Sequence, residues 1–242
     1  MSRPLHSFLY RTRFFKHVKY TKNMHKNKKK KPSILVIGAH NDDFAIGAGG
    51  TLLKYLDEGY HVASLIASFG EKSHPHIKPE IIAKQREKEA KRVSKFMNIE
   101  HLGIVGAKEG KFLRDENPRL LHDAIKNAIL KLKPEKIFIH SIDDPHPDHR
   151  ALYKITLDVA DEINYQGDIY SYDIWNPLSF KKQGVRMVVD ITPYFWKKLA
   201  AIKRFDSQWI ALVQLIPATI YRAIRNGLRN SCRFAEVFYK VR

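Results

Sequence analysis

From residue 33 onward, short apolar runs alternate with segments of helical period, and no other feature of the chain narrows its fold so far. Residues 34–39, 61–67, 101–105, 136–140, 169–175 and 186–190 read as strands, and residues 45–58, 79–97, 117–132, 150–163 and 193–205 as helices. In the first helix Leu52, Leu53 and Leu56 share a face, and Gly59 follows its end. In the second the inward stripe runs through Ile82, Glu89, Ala90, Val93, Phe96 and Met97. Asn117-Pro118 opens the third helix and Pro134 stops it. Strands alternating with helices imply βαβ units, hence an α/β fold with a mainly parallel sheet and helices on both faces. At 242 residues and 44% hydrophobic content, the chain can build one such domain over residues 32–242.

Two acidic-histidine clusters sit at the ends of these apolar runs. Ala39-His40-Asn41-Asp42-Asp43 follows Ile34–Ile37, and His146-Pro147-Asp148-His149 comes shortly after Ile137–Ile139. In open α/β sheets the loops beyond the strands' carboxyl ends line the ligand crevice. Imidazoles and carboxylates converging there suit a catalytic zinc, which takes three protein ligands and leaves one position open. His40 and Asp43, three apart at a helix start, share a face and can grip one ion. His149 can supply the third ligand. Asp42 is then free as a general base, and His146, held by Asp148, can donate to a developing oxyanion. Taken singly, each cluster also reads as a structural histidine beside a helix-capping acid. Together, at two strand ends, they favour the metal site. Another divalent transition metal fits the same ligands.

Gly47-Ala48-Gly49-Gly50 raises a nucleotide-binding alternative, but the third fingerprint position is Leu52 and the glycines fall inside a helix. Close packing of that helix on the sheet is the better reading. Cys232 is the sole cysteine, so an intrachain disulfide and a cysteine-rich zinc cluster are excluded, and a reduced cytoplasmic setting is expected. The apolar stretch 209–221 is broken by Gln214 and Pro217 and falls short of the ~20 residues a membrane span needs.

The net charge of +18 is uneven. Residues 1–31 hold eleven Lys/Arg and no acid, so subtracting them leaves +7 for the remainder. A flexible basic tail is the expectation. Contact with nucleic acid or with an anionic membrane surface is the functional alternative, the latter helped by Leu5, Phe8, Leu9, Phe15 and Val18 on one helical side. A transit peptide, or a start at Met24, also fits this segment. Residues 68–79 form a loop long enough for a lid, in which His74 and His76 make a His-x-His pair best read as solvated. A homo-oligomer stays open.

Several motifs in order resemble the LmbE-like, or PIG-L, de-N-acetylases that act on N-acetylglucosamine conjugates. They are Ala39-His40-x-Asp42-Asp43 with Gly49-Gly50-Thr51, Ser68-Phe69-Gly70-Glu71, Arg86-x-x-Glu89 and His146-Pro147-Asp148-His149. Tyr172–Pro177, Asp190-Ile191-Thr192, Lys198–Ile202, Ser207-Gln208 and Ala235-Glu236-x-Phe238 follow. The resemblance covers residues 33–242 and implies a single Rossmann-like domain. It also implies zinc on His40, Asp43 and His149, and Asp42 as the base that activates water. His146 would polarise the amide with Asp148 orienting it, and Arg86 would reach a sugar hydroxyl. Glu109 stands where the family often has a substrate-contacting Asp before Gly. Asn41 replaces the usual proline, and Phe44 stands where Glu often follows. The expected reaction is release of acetate from an N-acetylated sugar conjugate; another N-acyl amide or a lipid-linked sugar is the alternative substrate.

Overall fold

A computed structural model of the protein describes residues 31–72, 77–176 and 184–242. The strands are β1 (Ser33–Gly38), β2 (His61–Ile66), β3 (Glu100–Ile104), β4 (Lys136–His140), β5 (Asp168–Tyr172), β6 (Arg186–Asp190) and β7 (Ala235–Lys240). The helices are α1 (Asp43–Asp57), α2 (Pro79–Met97), α3 (Asn117–Leu132), α4 (Pro147–Glu162), α5 (Phe195–Ile202) and α6 (Trp209–Leu228), with a 3₁₀ turn at Asp206–Gln208. Among the described residues the strands form one seven-stranded sheet, ordered β3-β2-β1-β4-β5-β7-β6. β1 to β5 run parallel, and β7 is antiparallel to both β5 and β6. This is the expected α/β, Rossmann-like architecture.

Alternation along β1 divides the core in two. Ile34 and Val36 pack with residues of α1, α2, α5 and α6, while Leu35 and Ile37 pack with α3 and α4 on the other face. Both inward sets are fully buried, which is why parallel strands of this kind read as continuous apolar runs. From β1 the chain moves outward through β2 to β3, then returns to place β4 on the other side of β1. Loops leaving β1 and β4 therefore diverge, and the crevice between them is the switch point where ligands bind in such sheets.

Two helices begin earlier than their periodicity suggests, and the difference matters. Pro147 occupies the first turn of α4, where its missing N–H is no loss, so Pro147, Asp148 and His149 form that turn rather than a loop before it. Asp43 likewise opens α1. The end of the chain was less legible: α6 continues through Pro217, and β7 lies beyond it. Pro217 is exposed, as are Trp209, Val213 and Tyr221, so the helix keeps one face wet. No helix among the described residues is long and apolar enough to cross a membrane. Residues 1–30, and with them the basic tail and Met24, lie outside the described residues, as do His74 and His76.

The glycines of α1 serve packing. A Cβ on Gly47 would come within 2.2 Å of the Tyr172 ring, and one on Gly50 within 2.8 Å of Ile191. The Gly50 and Thr51 N–H groups donate to the Glu236 carboxylate, whose Oε1 also takes Lys198 Nζ at 2.6 Å. Lys198 Nζ donates in addition to the Ile46 carbonyl at 2.7 Å. A buried ion pair thus ties α5 and β7 to the middle of α1.

Candidate active site

The carboxyl end of β1 delivers His40, Asn41, Asp42 and Asp43 into the crevice, all four buried. The His40 N–H donates to Asp43 Oδ2 at 2.7 Å, folding the cluster back on itself. Three imidazoles surround that same oxygen: His40 Nδ1 at 3.6 Å, His140 Nε2 at 3.2 Å and His149 Nε2 at 3.7 Å. Burial would raise the Asp43 carboxyl, but the neighbouring His140 and His149 outweigh it and hold Asp43 well below the usual carboxylate range. Asp42 goes the other way: burial and the adjacent Asp43 charge push its pKa up, against the pull of Arg86 3.7 Å away. Adjacent carboxylates in one buried site are thereby split, one fixed as an anion and one poised to take a proton.

The second cluster arrives from the other side of the switch point. His149 lies in the first turn of α4 and is fully buried, with Nδ1 3.0 Å from Asp144 Oδ1. Burial and the His140 ring stacked on it, centroids 3.8 Å apart, push the His149 pKa down to about 4. His149 is therefore neutral at pH 7, as a metal ligand must be. His146 caps α4 by accepting the Asp148 N–H on Nδ1 at 3.2 Å, which places the proton of the neutral ring on Nε2. The contact that orients His146 thus comes from the Asp148 main chain. The Asp148 carboxylate accepts from the Gly110 N–H at 2.6 Å and lies 3.9 Å from His40 Nε2. Burial and the His40 charge lower the pKa of His146.

Ligand atoms of His40, Asp43 and His149 all lie within 4.8 Å of one another, as do those of a second group, His40, His146 and Asp148. His40 Nε2 and His149 Nε2 are buried without a hydrogen-bond partner. Buried imidazole nitrogens without partners around a carboxylate held as an anion suit a divalent cation. These residues fit the metal that the sequence motifs imply.

A cavity of about 290 Å³ opens onto this cluster, lined by His40, Asp42, Asp43, Arg86, Glu109 and His146 on one side. Ile174, Trp175, Ser207, Gln208 and the first turns of α6 close the other. Arg86 is buried. Its Nε donates to Asn41 Oδ1 at 3.0 Å and its Nη1 to the Gly70 carbonyl at 2.7 Å. Glu89 accepts from the Ser207 N–H and hydroxyl, pinning the pocket's far wall to α2. Glu109 Oε1 lies 3.8 Å from His40 Nε2, while its Oε2 accepts the Lys72 N–H. Trp175 lines the pocket; Trp209 is exposed outside it.

His140 ends β4 and Asp144 lies in the turn before α4, outside the motifs that the sequence singles out. Both also build the site. The Ala39 N–H donates to His140 Nε2 at 2.9 Å, joining the β1 and β4 ends across the switch point. Asp144 accepts from the His146, Ile174 and Trp175 N–H groups besides facing His149. A histidine ending an apolar strand, four residues ahead of an acid, was the available signal.

Residues 35–160 match the family model PIG-L, GlcNAc-PI de-N-acetylase. The chain belongs to the PIG-L family. Among its relatives is an uncharacterized deacetylase of Escherichia coli K12, YaiS, 28% identical over 74% of this chain and 92% of that protein. The fold of the PIG-L chain also superposes on N,N'-diacetylchitobiose deacetylase from Pyrococcus horikoshii, with a TM-score of 0.73 and 22% identity over 86% of this chain and 83% of that one. It superposes equally on the hydratase GalB from Pseudomonas putida, with a TM-score of 0.74 and 21% identity over 87% and 96%. Likeness at that identity is a likeness of fold, so the chemistry must be argued from the site. In this PIG-L protein Asn41, at the position where proline is usual, hydrogen-bonds Arg86 in both directions: its Nδ2 donates to the Arg86 carbonyl at 3.2 Å.

Proposed function

We propose that this PIG-L deacetylase is a zinc-dependent amidohydrolase that removes the acetyl group from an N-acetylglucosamine-type conjugate. The observation that carries the reading is the convergence of His40, Asp43 and His149 beside a free Asp42, at the floor of a pocket near the lower limit of small-ligand sites. His40, Asp43 and His149 would hold the ion; another divalent transition metal suits them as well. When bound, the ion supplies Lewis-acid polarisation of the acetamide carbonyl and acidifies water to near neutrality. Asp42, its proton affinity raised by burial and by Asp43, takes the proton as the water oxygen bonds to the carbonyl carbon. His146 offers Nε2–H to the oxygen that gains charge, with its ring held by the Asp148 N–H. The C–N bond then breaks, and the proton on Asp42 passes to the departing amine. Acetate and a free amino sugar result. Arg86, fixed by Asn41 and Gly70, trims the charge on Asp42 and presents its edge to a sugar hydroxyl, and Glu109 borders the same space.

The names of the relatives support the acetylated-sugar reading, and the pocket volume suits one sugar unit with its acetamide. Purified protein assayed for amine release from N-acetylglucosamine conjugates should lose turnover with chelator and regain it with zinc. In Asp42→Ala, turnover should fall by about 10²–10⁴-fold with zinc still bound. Parental turnover in that variant would remove Asp42 from the mechanism, and full zinc occupancy in His149→Ala would remove His149 from the ligand set.

A further inference from the structure

A second cavity, of about 90 Å³, lies between α6 and the β5–β7–β6 side of the sheet, away from the candidate active site. Arg186, Arg222, Arg225 and Arg229 line it. The cavity has room for several waters, enough for one tetrahedral oxyanion. Its two acids are Glu236 and Asp173. Glu236 is already engaged by Lys198 and by the Gly50 and Thr51 N–H groups.

Cations outnumber acids in the lining: four arginines and Lys198 stand against Asp173 and Glu236. Among the described residues, no carboxylate lies within salt-bridge distance of Arg186, Arg222 or Arg229. Arg222 uses one nitrogen, Nη1, on the carbonyls of Asp173 and Ile174 at 2.8 and 3.0 Å. A guanidinium carries five N–H donors, so most of its donor capacity remains for the cavity it lines. Arg222 lies on the last turns of α6 and Arg229 caps its C-terminus, so positive charge is concentrated along this edge of the cavity. A separate observation agrees. Thr219 Oγ1, on the turn before Arg222, is buried at the cavity wall with no hydrogen-bond partner.

We propose that this cleft binds a phosphate group, free or as a phosphate monoester, on Arg186, Arg222 and Arg229, with the Thr219 hydroxyl donating to it. The planar guanidinium fork matches phosphate oxygens in pairs, which lysines at the same positions would not do. The site communicates with the candidate active site through one turn. Arg222 holds the carbonyls of residues 173 and 174, and the N–H groups of Ile174 and Trp175 hold Asp144, the residue that faces His149. A bound phosphate group fixes that turn from behind. The inference stands apart from the hydrolase reading, because its readout is binding.

Calorimetric titration of the full-length protein with inorganic phosphate, at constant ionic strength against a chloride blank, tests it. One saturable site is expected. Arg186→Glu and Arg229→Glu, both at exposed positions, should each weaken binding about tenfold or more, the loss of one charge-assisted contact. Arg119→Glu, on α3 with its side chain 90% exposed, should leave binding unchanged. Glycerol 3-phosphate serves as the second ligand: comparable binding identifies a phosphate ester, and binding of inorganic phosphate alone identifies the free anion. The proposal fails if no saturable binding exceeds the chloride blank, or if Arg119→Glu weakens binding as much as the cleft variants. It also fails if His40→Ala abolishes binding while the cleft variants do not, since the anion would then sit in the catalytic pocket.

Discussion

Asp144→Asn changes almost no volume in a fully buried side chain, yet it removes one acceptor from a carboxylate that serves four donors. Oδ1 accepts the His146 N–H at 3.0 Å and faces His149 Nδ1 at 3.0 Å. Oδ2 accepts the N–H groups of Ile174 at 3.0 Å and Trp175 at 3.2 Å. Whichever way the new amide turns, its NH₂ meets a pair of donors. Each donor orphaned in a buried site costs about 1–3 kcal/mol, so a loss of about 2–6 kcal/mol is expected in equilibrium urea unfolding of the metal-free protein. With the ring of His149 no longer held, affinity for zinc, measured against a chromophoric chelator, should fall about 10–100-fold. The two readouts separate a folding role from a ligand-orienting one. A variant within about 1 kcal/mol of the parent and with parental zinc affinity would refute the reasoning from both sides.

Three further outcomes follow from the same geometry. Lys198→Met and Glu236→Gln should each destabilise by about 3–5 kcal/mol, because each strands a buried partner, whereas the double variant should lose clearly less than the sum; strict additivity would show that the pair does not act as one. Folded His149 resists a proton that the unfolded chain accepts near pH 6.5, so metal-free stability should decline as pH falls from about 6.5 to about 4, by up to about 3 kcal/mol; a flat stability profile across that window, by thermal melts, would contradict the buried neutral imidazole. Arg86 opposes the burial and the Asp43 charge that raise Asp42, so in Arg86→Gln the acidic limb of kcat/KM should move to higher pH; a limb that stays put while kcat/KM drops would reduce Arg86 to a substrate contact.

Much of the site was legible because its residues carry a local signature. His40 to Asp43 and His146 to His149 each follow an apolar run, and apolar runs that alternate with helical periods are parallel strands. Strand ends face the crevice whatever the details of packing. Arg86 was readable as a functional candidate, but not its surroundings: its partners Asn41 and Gly70 are 45 and 16 residues away in sequence. His140 and Asp144 escaped notice for a similar reason. A histidine at a strand end and an acid in a turn are common, and only a stacked ring at 3.8 Å and a facing nitrogen at 3.0 Å distinguish these two.

Hydrophobic periodicity, acting over a few residues at a time, was sufficient by itself to determine an α/β chain with a mainly parallel sheet and two reactive clusters at strand ends. It also placed the close packing of the α1 glycines, since a backbone without Cβ invites a neighbour. The order in which strands lie side by side depends on contacts between segments a hundred residues apart, and no local pattern encodes it. That order put β4 against β1, so His149 reached Asp43 and His140 reached Ala39. It likewise let α6, a helix interrupted by proline and apolar nearly all round, close the pocket on one side and expose a row of arginines on another. Proton affinities were decided at the same level, because burial and neighbouring charge exist only once the chain has folded: Asp42 and Asp43 are chemically identical neighbours, and only their three-dimensional surroundings drive one up and the other down.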